Sequence, residues 1–239
     1  MRNLIIILFF LFNYTMFGQG YIDLAEFKIG STTPNNFKDS SQSTRVENIG
    51  LNITIPVPIK DKTVLLMGLN IDRSKLKLDI SNASSSLYLT GAEFGIHKQV
   101  STNKGITFML RPQITSDTKS LSNKKIKWGV LALLTYNKGA NKSFKYGIYY
   151  KDEFYGPLIV PLFGFYYMNP DKTWEFDIMA PIKMMIYHHL SSKAALGIKF
   201  DGIGTTYRLN DGIGNIKGSY VDKVSNELSG IIQVKISNS

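Results

Sequence analysis

The segment Trp174-Glu175-Phe176-Asp177-Ile178 places two carboxylates two positions apart. On a β-strand such residues share a face, with about 7 Å between their backbones. Carboxylates at that separation can divide acid and nucleophile or base roles in glycoside cleavage. They can equally serve as fixed counter-charges to Arg111, Lys127 and Lys145, and the electrostatic role is the favoured one. The histidines are His97, His188 and His189. Adjacent strand residues point to opposite faces, so His188 and His189 cannot chelate one ion. His97 shares a face with Glu93, but four residues of strand separate them by about 13 Å, too far for a dyad. Serines abound without a Gly-x-Ser-x-Gly elbow to single one out. Gly202-Ile203-Gly204 has no following helix that would make it a dinucleotide loop. Cysteine is absent, which excludes thiolate nucleophiles, thiolate metal sites and disulfides. The sequence therefore presents no catalytic residues, no metal ligands and no cofactor site.

What would position these groups is a series of strands. From Ile49 to Ile59 every odd residue is Ile, Leu or Val, and every even one is Gly, Asn, Thr or Pro. The same period of two returns at 63–72, 86–100, 106–115, 125–137, 143–151 and 173–180. Each segment sets an oily face against a polar, glycine-bearing one. The polar faces carry Glu93, Arg111, Lys127, Lys145, Glu175 and Asp177. The oily faces carry Trp128, Tyr136, Tyr146, Tyr150, Tyr166 and Trp174, many near strand ends. No sustained helical period follows the N-terminus. The fold class predicted is all-β, in one domain.

The connections are of two kinds. Tight ones fall at 60–62, 101–105, 138–142, 169–172 and 191–193, where Asn, Asp, Pro and Gly supply turn geometry. Longer ones are expected at 31–44, 74–85, 116–124, 152–157 and 210–227. The two kinds alternate if the chain also folds at Ala180-Pro181, which brings the strand number to about twelve, within a range of about ten to fourteen. Outer-membrane barrels sort short and long connections to opposite ends in this way. A closed antiparallel transmembrane β-barrel is expected, with its oily side toward lipid, aromatic rings at the headgroup level, and the six charged residues lining the lumen.

The 239 residues carry a net charge of +10, yet only 19% are charged and 12% are aromatic. The lysines scatter into turns and do not form a phosphate footprint, so no nucleic-acid partner is expected. Met1-Arg2-Asn3, nine apolar residues from Leu4 to Phe12 and a polar, small-residue stretch to Gly20 read as a signal peptide over residues 1–19. Residues 20–239 then form the single barrel domain, exported to the outer membrane of a Gram-negative cell.

Pro161-Leu162-Phe163-Gly164-Phe165-Tyr166-Tyr167-Met168-Asn169-Pro170-Asp171-Lys172-Thr173-Trp174-Glu175-Phe176-Asp177-Ile178, with the later Gly202 to Leu209, resembles a family of uncharacterised outer-membrane β-barrel proteins from Bacteroidota. The resemblance is specific over roughly Pro157 to Leu209. It implies outer-membrane lipids and the barrel-assembly machinery as partners, and it carries no functional residue. The last strand is expected at 229–236 and has no terminal aromatic. The leading function is a passive, porin-like barrel: a narrow channel, a small-ligand transporter handling solutes in its lumen, or a structural component. A lipid-modifying outer-membrane hydrolase and a soluble periplasmic β-barrel or sandwich binder are the alternatives.

Overall fold

A computed structural model describes residues 24–32, 34–36, 43–78, 83–117, 126–209 and 220–234. The expected signal segment lies outside the described residues. The strands are β1 (Ala25–Ser31), β2 (Asn35–Asn36), β3 (Ser43–Ile59), β4 (Thr63–Leu78), β5 (Ala83–Ser101), β6 (Lys104–Ser116), β7 (Lys127–Asn137), β8 (Lys142–Glu153), β9 (Gly156–Met168), β10 (Trp174–Ala180), β11 (Lys183–His189), β12 (Ala194–Arg208) and β13 (Tyr220–Val234). All but the two-residue β2 lie side by side in chain order, each antiparallel to its neighbour. The fold is all-β and closes into a barrel, with no helix among the described residues.

The period of two translates directly into two surfaces. Outward residues are large, apolar and exposed: Ile49, Leu51 and Ile55 on β3, Met67, Leu69 and Ile71 on β4, Phe94 and Ile96 on β5, Ile106 and Phe108 on β6, Ile148 on β8, Ile159 and Phe163 on β9. Cross-strand register joins them into unbroken rows, for example Ile55–Met67–Phe94–Leu110–Val130–Tyr150–Ile159. The inner surface holds the buried groups. Two stacked sheets would have enclosed these apolar side chains; here they are on the outside.

Glycine explains how the interior is filled. Gly91, Gly95, Gly129, Gly147, Gly164 and Gly197 stand directly opposite Gln113, Met109, Arg111, Leu133, Lys145 and Tyr187. In each case the partner's side chain occupies the space a Cβ would take, at 2.5–3.2 Å. Large residues thus lie flat across small ones, the pattern of a barrel packed with its own side chains. The inner surface is less polar than the sequence suggests. Leu66, Met109, Leu133, Leu162, Met185 and Tyr187 all point inward beside the charges.

The wall is uneven in height. β10 and β11 have 7 residues each, whereas β3 has 17. β10 pairs with β9 only from Phe163 to Met168, and β11 pairs with β12 only from Ala195 to Asp201. Above that hairpin both neighbours have a bare edge. On β9 the Met168 amide donates toward β8, to Asn141, and the Asn169 amide donates toward β10, to Trp174. The odd-numbered amides of β9 therefore face β10, and the bare positions are 157, 159 and 161. Two of these three are Pro157 and Pro161, which have no amide to leave unpaired. Pro112 follows the same logic: the β5–β6 ladder skips its level, between Gly91↔Gln113 and Phe94↔Leu110.

The bare edge of β12 is handled differently. Its last residues lean across the mouth until Arg208 bridges Ser116 at the end of β6, in parallel, and the Asp117 amide donates to the Arg208 carbonyl at 3.0 Å. This contact closes the ring within part of the sheet. β1 and β13 share no ladder among the described residues. Side chains join that seam instead: Lys199 on β12 reaches Glu26 on β1 at 3.0 Å, and Lys223 on β13 reaches Asn48 and Ser74 at 3.0 and 2.8 Å.

The five tight connections fall where the turn residues predict. Several long ones are shorter than expected. The fold at Ala180-Pro181 makes two strands, joined by Pro181-Ile182. The stretch 152–157 is mostly strand, with only Phe154-Tyr155 between β8 and β9. Most of 74–85 is strand as well, and the final strand begins at Tyr220, well before the expected 229, and is described to Val234. Near Lys75 and Lys77 the alternation inverts, with the charges outward and Leu76 packed inward, and on the last strand Asp222 and Asn226 interrupt the outward row of Val224 and Leu228.

Candidate functional site

Besides the Lys199–Glu26–Asp201 cluster at the seam, four ionic groups occupy the interior, each assembled from strands that lie close together in the wall. On β5 and β6, Glu93 accepts from Arg111 at 3.0 Å and from Asn70 of β4 at 3.1 Å. On β8 and β10, Lys145 stands 3.6 Å from Asp177. On β10 and β11, Glu175 pairs with His189 Nε2 at 2.8 Å. The six residues expected to line the lumen do face inward, but they do not form one network. Glu175 and Asp177 share a face and take different partners. Glu175 is held from the adjacent β11, and Asp177 from β8 across the small Gly164 of β9. His188 points outward and packs its ring on Trp174, with centroids 4.6 Å apart. His97 is bonded to Thr107 at 2.8 Å, well separated from the Glu93 pair.

The fourth group is the most buried, and Lys127 alone of its members is among the six residues expected to line the lumen. Lys127, Lys151 and Glu153 meet the leaning end of β12. Lys127 Nζ lies 2.7 Å from Glu153 Oε2, and Lys151 Nζ lies 2.6 Å from Glu153 Oε1. The same ammonium groups donate to β12 carbonyls, Lys151 to Gly204 and Lys127 to Thr206, both at 2.7 Å. Thr115 Oγ1 also donates to the Thr206 carbonyl at 2.7 Å, and the Thr206 amide donates to Glu153 at 3.0 Å. The Gly202 amide bonds Ile182 beyond β11, so residues 204, 206 and 208 are those whose backbone groups face the vacant edge. Side chains thus replace the missing strand. This matters because an unpaired peptide group removed from water costs several times what its hydrogen bond contributes.

The side chains at this end are closed to solvent. Lys127 is 0% exposed, Thr206 0%, Glu153 2%, Tyr207 2% and Leu87 0%. A water-filled mouth would wet these groups. Leu87, Tyr207 and Leu209 form a small apolar core directly behind them. Elsewhere the interior is filled by Leu162, Met185, Tyr187, Ala195 and Tyr166; Tyr166, expected on the oily outer face, lies inside because the register of β9 turns its even positions inward. Among the described residues no cluster of three or more His, Asp or Glu could hold a metal ion.

Glu153 and Lys151 continue the inward period of β8, and extending that period by one step past Lys151 would have found Glu153. The partner backbone could not have been found in this way, because β12 arrives from a distant part of the chain.

Residues 15–234 match the family described as a domain of unknown function, DUF6268. The chain belongs to that family. No curated protein and no solved structure matches it. Membership spans nearly the whole barrel, so the resemblance seen between Pro157 and Leu209 is part of a chain-length relationship to an uncharacterised family.

Proposed function

We propose that this DUF6268 protein is an outer-membrane β-barrel with a packed, non-conducting interior, serving as a passive structural component and not as an enzyme. The observation that carries this is the outward belt of exposed Ile, Leu, Phe and Met in register around the wall. Water-soluble monomers rarely expose contiguous apolar surface of this kind, whereas a barrel in lipid requires it. Aromatic residues fit the two borders of such a belt. Outward on β7, Trp128 and Tyr136 stand eight residues apart, about 26 Å along the strand and about 20 Å along the normal once strand tilt is included, the greater part of the apolar height of an outer membrane. Trp174, Phe176, Tyr167, Phe165 and Phe144 form a continuous ring-to-ring series on β8 to β10, with centroids 5.6–6.4 Å apart. The Glu26–Lys199 contact supports a wall of about twelve strands in which β1 stands beside β13. No helix among the described residues is long and apolar enough to cross a membrane. Crossing by strands is the mode this proposal requires.

Membrane fractionation followed by electrophoresis of unheated and boiled samples tests the proposal. The protein is expected in the outer membrane, with a mobility that changes on boiling. In liposome swelling it is expected to pass no more solute than protein-free vesicles. Recovery from a detergent-free periplasmic wash would overturn the membrane assignment, and solute-dependent swelling would overturn the packed interior.

A further inference from the structure

The outer surface of β3 and β4 changes character abruptly at the end away from the tight turns. Up to Ile49 and Ile71 it is apolar. Immediately beyond come Arg45, Arg73, Lys75 and Lys77, with Glu47 as the one acid among them. Register places these residues together: Arg73 is opposite Ile49, Lys75 opposite Glu47, and Lys77 opposite Arg45. Glu47 is taken up by Lys77, its ion-pair partner. Arg45, Arg73 and Lys75 have no ion-pair partner among the described residues. Arg45 Nε donates only to Ser31 at 3.1 Å, and Arg73 donates to Ser86 while lying over the Tyr88 ring at 5.9 Å. Arg45, Arg73 and Lys75 line a shallow groove together with Glu47, and its remaining wall includes Ile29, Ser31 and Ile49.

The four cations Arg45, Arg73, Lys75 and Lys77 outnumber the one acid, Glu47, so this end keeps a net positive charge, with forked guanidinium donors, at the head of an exposed apolar strip formed by Ile29, Ile49, Leu51 and Ile71. Guanidinium and ammonium groups side by side suit a phosphate, and the strip below suits hydrocarbon. Neither a free anion nor an apolar peptide uses both halves. We propose that the outer face of β3–β4 is a binding site for a phosphorylated lipid, its headgroup phosphate held by Arg45, Arg73 and Lys75 and its acyl chains lying along Ile29, Ile49 and Leu51. This site rests on the membrane reading above and adds a specific ligand class to it.

The full chain, purified from membranes in a neutral detergent, can be titrated with phosphatidic acid and with phosphatidylcholine and read by native mass spectrometry. The comparison is between wild type, the triple variant Arg45→Gln/Arg73→Gln/Lys75→Gln, and a control of equal charge loss at the opposite end, Lys104→Gln/Lys138→Gln/Lys172→Gln. Wild type and control are expected to retain phosphatidic acid, and the triple variant to lose affinity by about tenfold or more, from the weight of each cation at an anionic lipid surface. Phosphatidylcholine and inorganic phosphate are expected to bind none of the three measurably. Equal losses in both variants, or undiminished binding by the triple variant, would refute the site. Binding of inorganic phosphate as tight as that of phosphatidic acid would make it a free-anion site instead. These outcomes are separate from fractionation: a protein that stays in the outer membrane but fails this titration loses only the lipid site.

Discussion

Lys127 and Glu153 form an ion pair of 2.7 Å in which each side chain is only 1% exposed. The pair also holds the backbone of Thr206 through its amide and its carbonyl. Removing Glu153 leaves two buried ammonium groups and strips the Thr206 amide of its acceptor, whereas removing Lys127 leaves Glu153 with Lys151 and the Thr206 carbonyl with Thr115. Glu153→Ala is expected to cost about 3–5 kcal/mol, and Lys127→Ala less. Buried ion pairs can often be exchanged for apolar residues at little cost, but here the double replacement Lys127→Met/Glu153→Met is expected to stay destabilised, because Thr206 loses its surrogate strand. Urea midpoints of the barrel in detergent measure both. A double variant as stable as wild type would show that the peptide groups of Thr206 have other partners.

The glycine-opposite-large pattern makes a second prediction. A Cβ at Gly95 would meet Met109 Cγ at 2.7 Å, the flexible part of a side chain. A Cβ at Gly147 would meet the Ala132 carbonyl oxygen at 2.2 Å, which is fixed backbone. Both Gly→Ala variants are expected to lose stability, by about 1–3 kcal/mol. Gly95→Ala should be partly relieved when combined with Met109→Ala, so that the double variant is more stable than the sum of the singles. Gly147→Ala should gain nothing from Leu133→Ala. A double-mutant cycle on each pair checks this.

A third prediction concerns the bare edge of β9. Pro157 and Pro161 remove two of its three free amides. Pro157→Val/Pro161→Val restores them and leaves a strand edge ready to pair with a second copy. The variant is expected to form dimers in detergent, and the wild type is expected to remain monomeric. Crosslinking through a cysteine introduced at Ile159 should capture the dimer only in the variant. Light scattering that gives one mass for both proteins would count against it.

How much of this was legible in the sequence depends on distance along the chain. The Ile49–Ile59 alternation and turns such as Lys60-Asp61-Lys62 and Asn169-Pro170-Asp171-Lys172 are local, and strands and reversals appear where those residues call for them. Glu93, Arg111, Lys145 and Asp177 could be assigned to one face because facing depends only on parity. Which of them touch could not be assigned, because that depends on register between strands. The Lys127–Lys151–Glu153 group was beyond reach for a stronger reason. It exists because β10 and β11 are short, which frees the end of β12 to cross the mouth. Pro161 is awkward in a central strand and becomes reasonable only once its edge is known to be vacant.

The short β10–β11 hairpin also bears on whatever surrounds the barrel. Seven residues span about 23 Å even when fully extended, and less when tilted. The rim therefore slopes, deep on the side of β3 to β5 and shallow on the side of β10 and β11. A bilayer around such a sleeve has to become thinner along one flank, and the hydrocarbon chains beside the hairpin must tilt or splay. The protein would carry a built-in dent in the leaflet facing its long connections, with a direction fixed by the fold.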